Sequence, residues 1–168
     1  YKVHNAQANM GTTNQIANQI KGEGPDLVLA IATPSAQACA QVITETPLLF
    51  SAVTDPVAAK LVADLENTGG TNVTGMSDRS PIDKQVALML KIQPDMKTIG
   101  VVYTAGEVNS ISSVADLQAA CDANGLSLEE ATVANSGGVY QAIKSLVGNV
   151  DAVFIPTDNT VVSAFESL

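Results

Sequence analysis

The chain has 168 residues, 46% of them hydrophobic and 15% charged, which suits one or two compact α/β units. Its 17 acidic residues against 8 basic ones give a net charge of −9, and it lacks the basic stripe that a nucleic-acid binder needs. No apolar run approaches the ~18 residues that cross a bilayer, and the chain opens at Tyr1 without a leader, as a mature product or a fragment would.

In chain order, Tyr1–Asn5 reads as a short strand, and Thr12 or Thr13 caps a helix running to about Lys21 with Ile16 and Ile20 on one face. Gly22-Glu-Gly-Pro25 breaks that helix. Leu27–Ala32 is continuously apolar, the mark of a strand covered on both faces. Pro34 then stands near the first position of a helix reaching about Ile43. Pro47–Ala52 is a second buried strand, Asp55-Pro56 opens a helix to about Leu65, Asn67–Gly70 is a loop, and Asn72–Met76 is a short strand.

Ser80, Pro81 and Asp83 start a helix that runs to about Ile92 and stops before Pro94. A strand at Lys97–Tyr103, a helix at Asn109–Asn124 ended by Gly125, and a strand at Leu126–Val133 follow. A helix at Gly137–Val147, a strand at Val150–Ile155 and a last helix from Asn159 to Leu168 complete the series. Strand and helix alternate throughout, the pattern of a parallel, doubly wound α/β sheet. The pattern restarts at Ser80, so the expected organisation is two Rossmann-like lobes, residues 1–79 and 80–168.

In such sheets ligands bind beyond the carboxyl ends of the strands, where helix N-termini leave backbone N–H groups unpaired. Four strand-to-helix turns carry polar side chains there. Thr33-Pro34-Ser35-Ala36 can grip a carboxylate or simply cap its helix. Ser51-Ala-Val-Thr54-Asp55-Pro56 offers Asp55 as a cap or as an acceptor for an ammonium group. Thr157-Asp158-Asn159-Thr160 is more polar than one cap needs, and Asp158 is the favoured ammonium acceptor, with capping as its alternative. In the fourth turn Tyr103 can wall off an apolar moiety or pack in the core, and Glu107, Asn109 and Ser110 can bond a polar head group.

Catalytic readings find little support. His4 is the single histidine, on the opening strand, and reads as a surface or interface residue rather than a base. No Gly-x-Ser-x-Gly, Gly-x-x-x-x-Gly-Lys or Gly-x-Gly-x-x-Gly motif occurs. Cys39 and Cys121 sit in alanine-rich helical stretches, as small buried residues do, and the chain has no Cys-x-x-Cys to hold a metal. Paired acids could do acid–base work, but Asp55 and Asp158 have only the separation that closure of the lobes would set.

The segments Ala30–Gln37, Phe50–Pro56, Asn72–Asp78, Gly100–Ser110 and Ile155–Thr160, in this order over the whole chain, resemble the substrate-binding proteins of bacterial ABC transporters. The resemblance is to the subgroup labelled tryptophan/tyrosine transport, with a type I periplasmic-binding-protein fold. It implies two lobes joined by a hinge near Ser77–Pro81, closing on an aromatic or large apolar amino acid, with no cofactor, no metal and no catalysis. Thr33, Ser35 and Ala36 would then meet the ligand carboxylate, with Ser51, Thr54 and Asp55 on the same lobe. Tyr103, Glu107, Asn109 and Ser110 would approach from the second lobe, and Asp158, with Thr157 and Asn159, would take the ammonium.

The resemblance also implies an ABC permease as partner and a periplasmic or membrane-anchored lipoprotein setting outside the cytoplasm. Relatives of this kind have a strand and helix before the segment at Tyr1 and a return to the first lobe after Leu168, so the chain is expected to be truncated at both ends. A ligand-sensing domain of a regulator and a small-molecule enzyme on the same scaffold are the alternative functions.

Overall fold

The apolar runs form strands wherever a helix covers them. The computed structural model describes residues 1–66 and 70–167, and the chain divides into two compact units, Tyr1–Arg79 and Ser80–Leu168.

In the first unit, helix α1 (Met10–Glu23) precedes strand β1 (Val28–Ile31), helix α2 (Thr33–Val42) and strands β2 (Leu48–Val53) and β3 (Val73–Ser77). The strands form a parallel sheet in the order β1-β2-β3, with Val28 opposite Leu48 and Leu48 opposite Val73. Alternation sorts the side chains: Val28, Ala30, Leu48, Phe50 and Val73 are buried, while Leu29 and Ile31 on the opposite face are about 60% exposed. The side chain of Asn9 caps α1 by accepting from the Thr12 N–H at 2.9 Å, so the helix starts earlier than Thr12.

Three expectations fail in this unit. The strand over Leu27–Ala32 was expected to be covered on both faces, but Leu29 and Ile31 leave one face exposed. Tyr1–Asn5 is extended but joins no sheet among the described residues. It is tied to α1 through Glu23, which pairs with Lys2 at 2.5 Å. No helix forms at Asp55–Leu65; turns and bends occupy the segment. One helical turn begins, with Ala59 N–H bonded to Asp55 O at 2.9 Å, but Lys60 takes a φ of 59° and ends it. Ala59 and Leu61 are buried although no helix forms. The expected loop at Asn67–Gly70 lies mostly outside the described residues.

The second unit contains α3 (Ile82–Ile92), β4 (Thr98–Thr104), α4 (Val108–Asn124), β5 (Ser127–Val133), α5 (Val139–Leu146), β6 (Ala152–Phe154) and α6 (Asn159–Ser163). Its parallel sheet runs β5-β4-β6. The central β4 is buried on both faces. Ile99 and Val101 join Val86, Val114 and Leu117 under α3 and α4, and Val102 joins Val139, Leu146 and Val161 under α5 and α6. Each face therefore has its own helix layer, as the apolar stretch Ile99–Val102 requires. Gly100 lets α5 approach: a Cβ there would meet Leu146 Cδ1 at 3.0 Å and Val150 at 3.1 Å. The last helix is shorter than expected; α6 ends at Ser163, and a 3₁₀ turn at Phe165–Ser167 follows. Cys39 and Cys121 are both buried free thiols.

Candidate functional site

In the first unit the polar residues gather where β1 and β2 end. Ala32 leaves β1 with φ 74° and ψ 153°, a conformation that costs an L-residue about 1–3 kcal/mol. Its N–H donates to Ser51 O of β2 at 2.9 Å, so the strain is held by the neighbouring strand end. The turn starts α2, whose first intrahelical bond runs from Ala36 N–H to Ala32 O at 3.1 Å. The N–H groups of Thr33 and Ser35 precede that bond, and Pro34 has none to offer. Thr33 and Ala36 are buried and Ser35 half-buried. The Thr33 hydroxyl is sealed from solvent and has no hydrogen-bond partner.

Ser51 is half-buried and Thr54 buried, with Thr54 O accepting from the Ser77 hydroxyl at 2.9 Å. Asp55, offered by the sequence as a cap or an ammonium acceptor, caps its own turn. One carboxylate oxygen accepts from Ala58 N–H at 2.9 Å and the other pairs with Arg79 Nη1 at 3.1 Å. Arg79 was not foreseen, because 24 residues separate it from Asp55 in sequence.

In the second unit, β4 and β6 end on one hydrogen-bonded network. Asp158 is fully buried and accepts four hydrogen bonds. Oδ1 takes Val161 N–H at 2.8 Å and the Thr104 hydroxyl at 3.0 Å. Oδ2 takes Thr104 N–H at 2.6 Å and the Ser110 hydroxyl at 2.7 Å. The first of these is an N-cap on α6. A carboxylate has about four acceptor positions, so none is left open. The expectation that Asp158 receives an ammonium is corrected on this ground: of its two foreseen uses, the geometry realises the cap.

Glu107 is the second anchor, 4% exposed. Oε1 accepts from the Thr160 N–H at 3.0 Å and its hydroxyl at 2.8 Å. Oε2 accepts from Asn159 N–H at 3.1 Å, Asn159 Nδ2 at 2.7 Å and Asn109 Nδ2 at 3.1 Å. Burial pushes the Glu107 carboxyl up, but the hydrogen bonds from Asn159, Asn109 and Thr160 outweigh it and hold the group below its ordinary range. Asn109 Nδ2 also donates to Thr157 O at 2.8 Å, which joins the start of α4 to the turn before α6. Six of the foreseen residues, Glu107, Asn109, Ser110, Thr157, Asp158 and Asn159, thus form one cluster. Thr104 and Thr160 complete it and were missed, although both are hydroxyls beside residues that were chosen.

Tyr103 realises its packing alternative. Its ring lies against the core under α3 and α4, and its hydroxyl donates to Glu130 of β5 at 2.7 Å. The hydrogen bond to Glu130, with some burial, holds the phenol proton above its usual range.

A cavity of about 520 Å³ lies elsewhere in the first unit, along the free edge of β1. Val3, His4, Leu27, Leu29 and Ile31 help line it, and Ser35 is the foreseen site residue that reaches it. His4, expected at a surface or interface, is half-buried there with Nε2 sealed and 3.6 Å from Glu23. Among the described residues no cluster of metal-ligating side chains occurs, and no helix is long and apolar enough to cross a membrane.

A family model described as ABC transporter substrate binding protein matches residues 1–168. A tyrosine-binding protein of Clostridioides difficile (strain R20291) is 44% identical over 160 residues, covering 95% of this chain and 46% of that protein. A conserved domain protein of Vibrio cholerae O1 biovar El Tor superposes with a TM-score of 0.93 at 44% identity, over 96% of this chain and 54% of the other. An ABC domain from Streptococcus pneumoniae, solved with L-Trp, gives a TM-score of 0.91 at 36% identity, over 95% and 55%. A leucine-binding protein from Thermotoga maritima, at 15% identity and a TM-score of 0.63, shares the fold alone. The chain spans about half the length of these relatives.

Proposed function

Because this chain belongs to the ABC transporter substrate-binding protein family, we propose that it is the ligand-binding part of a receptor that carries an amino acid to an ABC permease. The ligand is aromatic or large and apolar. That choice is supported by the tyrosine-binding relative at 44% identity and by the L-Trp complex of the 36% identical domain. The receptor works outside the cytoplasm, with a lipid anchor as the finer proposal. The family is one of binding proteins rather than enzymes, and no residue here is assigned a catalytic role.

The observation that carries the reading is the start of α2. A sealed hydroxyl without a partner, Thr33 Oγ1, stands at a helix N-terminus behind a strained Ala32. Unpaired N–H groups and the helix dipole favour an anion at such a place. Backbone strain is retained where function requires a fixed geometry. An amino-acid carboxylate fits there, with Thr33 and Ser35 as donors and Ala36 at the contact. Ser51 and Thr54 line the adjoining strand end, and Asp55 holds it in shape through its cap and Arg79.

Calorimetric titration with L-tryptophan, L-tyrosine and L-leucine tests this. Wild-type protein is expected to bind at least one of them. Thr33→Val should weaken that binding about 10–100-fold, the value of a hydrogen bond to a charged group, without lowering the urea midpoint. Absence of binding to any of the three would overturn the receptor reading, and unchanged affinity in Thr33→Val would move the carboxylate elsewhere.

A further inference from the structure

The far end of α4, away from the polar network, carries a reactive pair. Asn124 is the one asparagine in the chain that precedes a glycine. It is the last residue of the helix, and Gly125 behind it takes φ 67° and ψ 28°, the left-handed turn that ends helices and that glycine enters without strain. Both residues are exposed. A Cβ placed on Gly125 would meet nothing within 4 Å, so no neighbour crowds the pair. The Gly125 N–H reaches back to Cys121 O and Asp122 O, the latter at 3.3 Å, longer than an ordinary N–H···O bond. Asn124 Nδ2 donates to Ala120 O at 2.8 Å, which turns the amide back along the helix and away from the following nitrogen. These bonds lie in the last turn of a helix, where opening is local and costs little.

Once that turn frays, the Gly125 nitrogen can attack the Asn124 amide carbon. A C–N bond forms to Cγ, the bond from Cγ to Nδ2 breaks, and the proton lost from the Gly125 nitrogen leaves with Nδ2 as ammonia. Water then opens the cyclic imide. Cleavage at Cγ gives aspartate, and cleavage at the main-chain carbonyl gives isoaspartate. One water is consumed, one ammonia is released, and nothing is oxidised or reduced.

The fold sets the consequence. Both products lose the donor to Ala120 O. Both add a negative charge at the C-terminal end of a 17-residue helix, two residues after Asp122, with no basic residue in the last turn to offset the dipole. Isoaspartate also lengthens the backbone by one carbon directly before the buried Leu126. Leu126 N–H donates to Cys121 O at 3.0 Å and Ser127 N–H to Lys97 O at 2.8 Å, the bonds that seat the start of β5. We propose that Asn124 is a site of spontaneous deamidation, gated by fraying of the last turn of α4, and that its products loosen the corner from α4 into β5.

The test holds the complete protein in warm, mildly alkaline buffer and follows proteolytic peptides by mass spectrometry, with isoaspartate labelled by its methyltransferase. The peptide containing Asn124 should gain one mass unit several-fold faster than those containing Asn135 and Asn149, which are also exposed but precede Ser136 and Val150. Asn124→Gln should remove the isoaspartate label from that peptide. Urea below the unfolding transition should leave the rate nearly unchanged. Asn124→Asp, which reproduces one product, should lower the urea midpoint and speed hydrogen exchange at Leu126 and Ser127. A rate at Asn124 no greater than at Asn135 and Asn149 would overturn the site, and a rate that rises in step with global unfolding would overturn the local gate. Unchanged exchange at Leu126 and Ser127 in Asn124→Asp would overturn the loosened corner. Should that variant not fold, aged and fresh wild-type protein compared at the same peptide decide the point in the same way.

Discussion

Asp158→Ala examines the network that shapes the rim of the second unit. The carboxylate ties together the end of β4 through Thr104, the start of α4 through Ser110, and the start of α6 through Val161. Truncation leaves the backbone N–H groups of Thr104 and Val161 without acceptors in a sealed interior. Each such orphan costs about 1–3 kcal/mol. The hydroxyls of Thr104 and Ser110 can rotate toward other acceptors and add less. The cap on α6 is already counted in the Val161 N–H, so it is not added again. The expected loss is about 3–5 kcal/mol, a large part of the 5–15 kcal/mol that stabilises a typical domain. Hydrogen exchange resolved by peptide, together with urea unfolding, measures it. Amides of β4, α4 and α6 should lose that much protection, Ser110→Ala should lose about 1–2 kcal/mol, and the exposed Ser145→Ala should change by less than ~0.5 kcal/mol. A loss below ~1 kcal/mol in Asp158→Ala would refute the view that this carboxylate is a structural anchor.

Acid should act on the same network through Glu107. Its carboxyl is held below the ordinary value of 4.5 in the folded protein, so its contribution is fully present above that pH and is lost as the pH falls through the folded-state value. Urea midpoints measured from pH 7 to 3 should fall steeply for wild type and less steeply for Glu107→Gln, which should be the weaker protein at pH 7; parallel acid limbs would contradict this. Two glycines separate by what a methyl group would meet. Gly75→Ala drives a Cβ to 2.2 Å from Phe50 O and 2.5 Å from its ring, whereas Gly100→Ala meets Leu146 Cδ1 at 3.0 Å, the end of a flexible side chain. Thermal melts should show a loss of about 3 kcal/mol or more at Gly75 and roughly 1–2 kcal/mol at Gly100; equal losses would be inconsistent with these packings.

The alternation of strands and helices was readable because buried strands announce themselves. Leu27–Ala32, Leu48–Phe50 and Ile99–Val102 are continuous apolar runs, and each became part of a strand covered by helices on at least one face. The segment Asp55–Leu65 shows the limit. Asp55-Pro56 has the chemistry of a helix start, but a single left-handed residue, Lys60, ends the first turn, and no local residue preference requires that at a lysine. Tyr1–Asn5 shows the same limit for a strand, since a pattern can be strand-like without a sheet edge to join.

At the site, residue types and positions were legible, but their employment was not. Sequence put Thr33, Ser35, Glu107, Asn109, Ser110 and Asp158 at strand ends, since a polar residue directly after an apolar run must lie where the sheet stops. Whether such a residue caps a helix or faces a ligand depends on how many of its hydrogen-bonding positions the fold consumes. That number is set by partners far along the chain: Thr104 lies 54 residues from Asp158, and Thr160 lies 53 from Glu107. Local pattern determined the architecture and the location of the rim. Only tertiary packing decided that both carboxylates are fully employed while Thr33 Oγ1 is not, because saturation belongs to the three-dimensional neighbourhood and not to the residue.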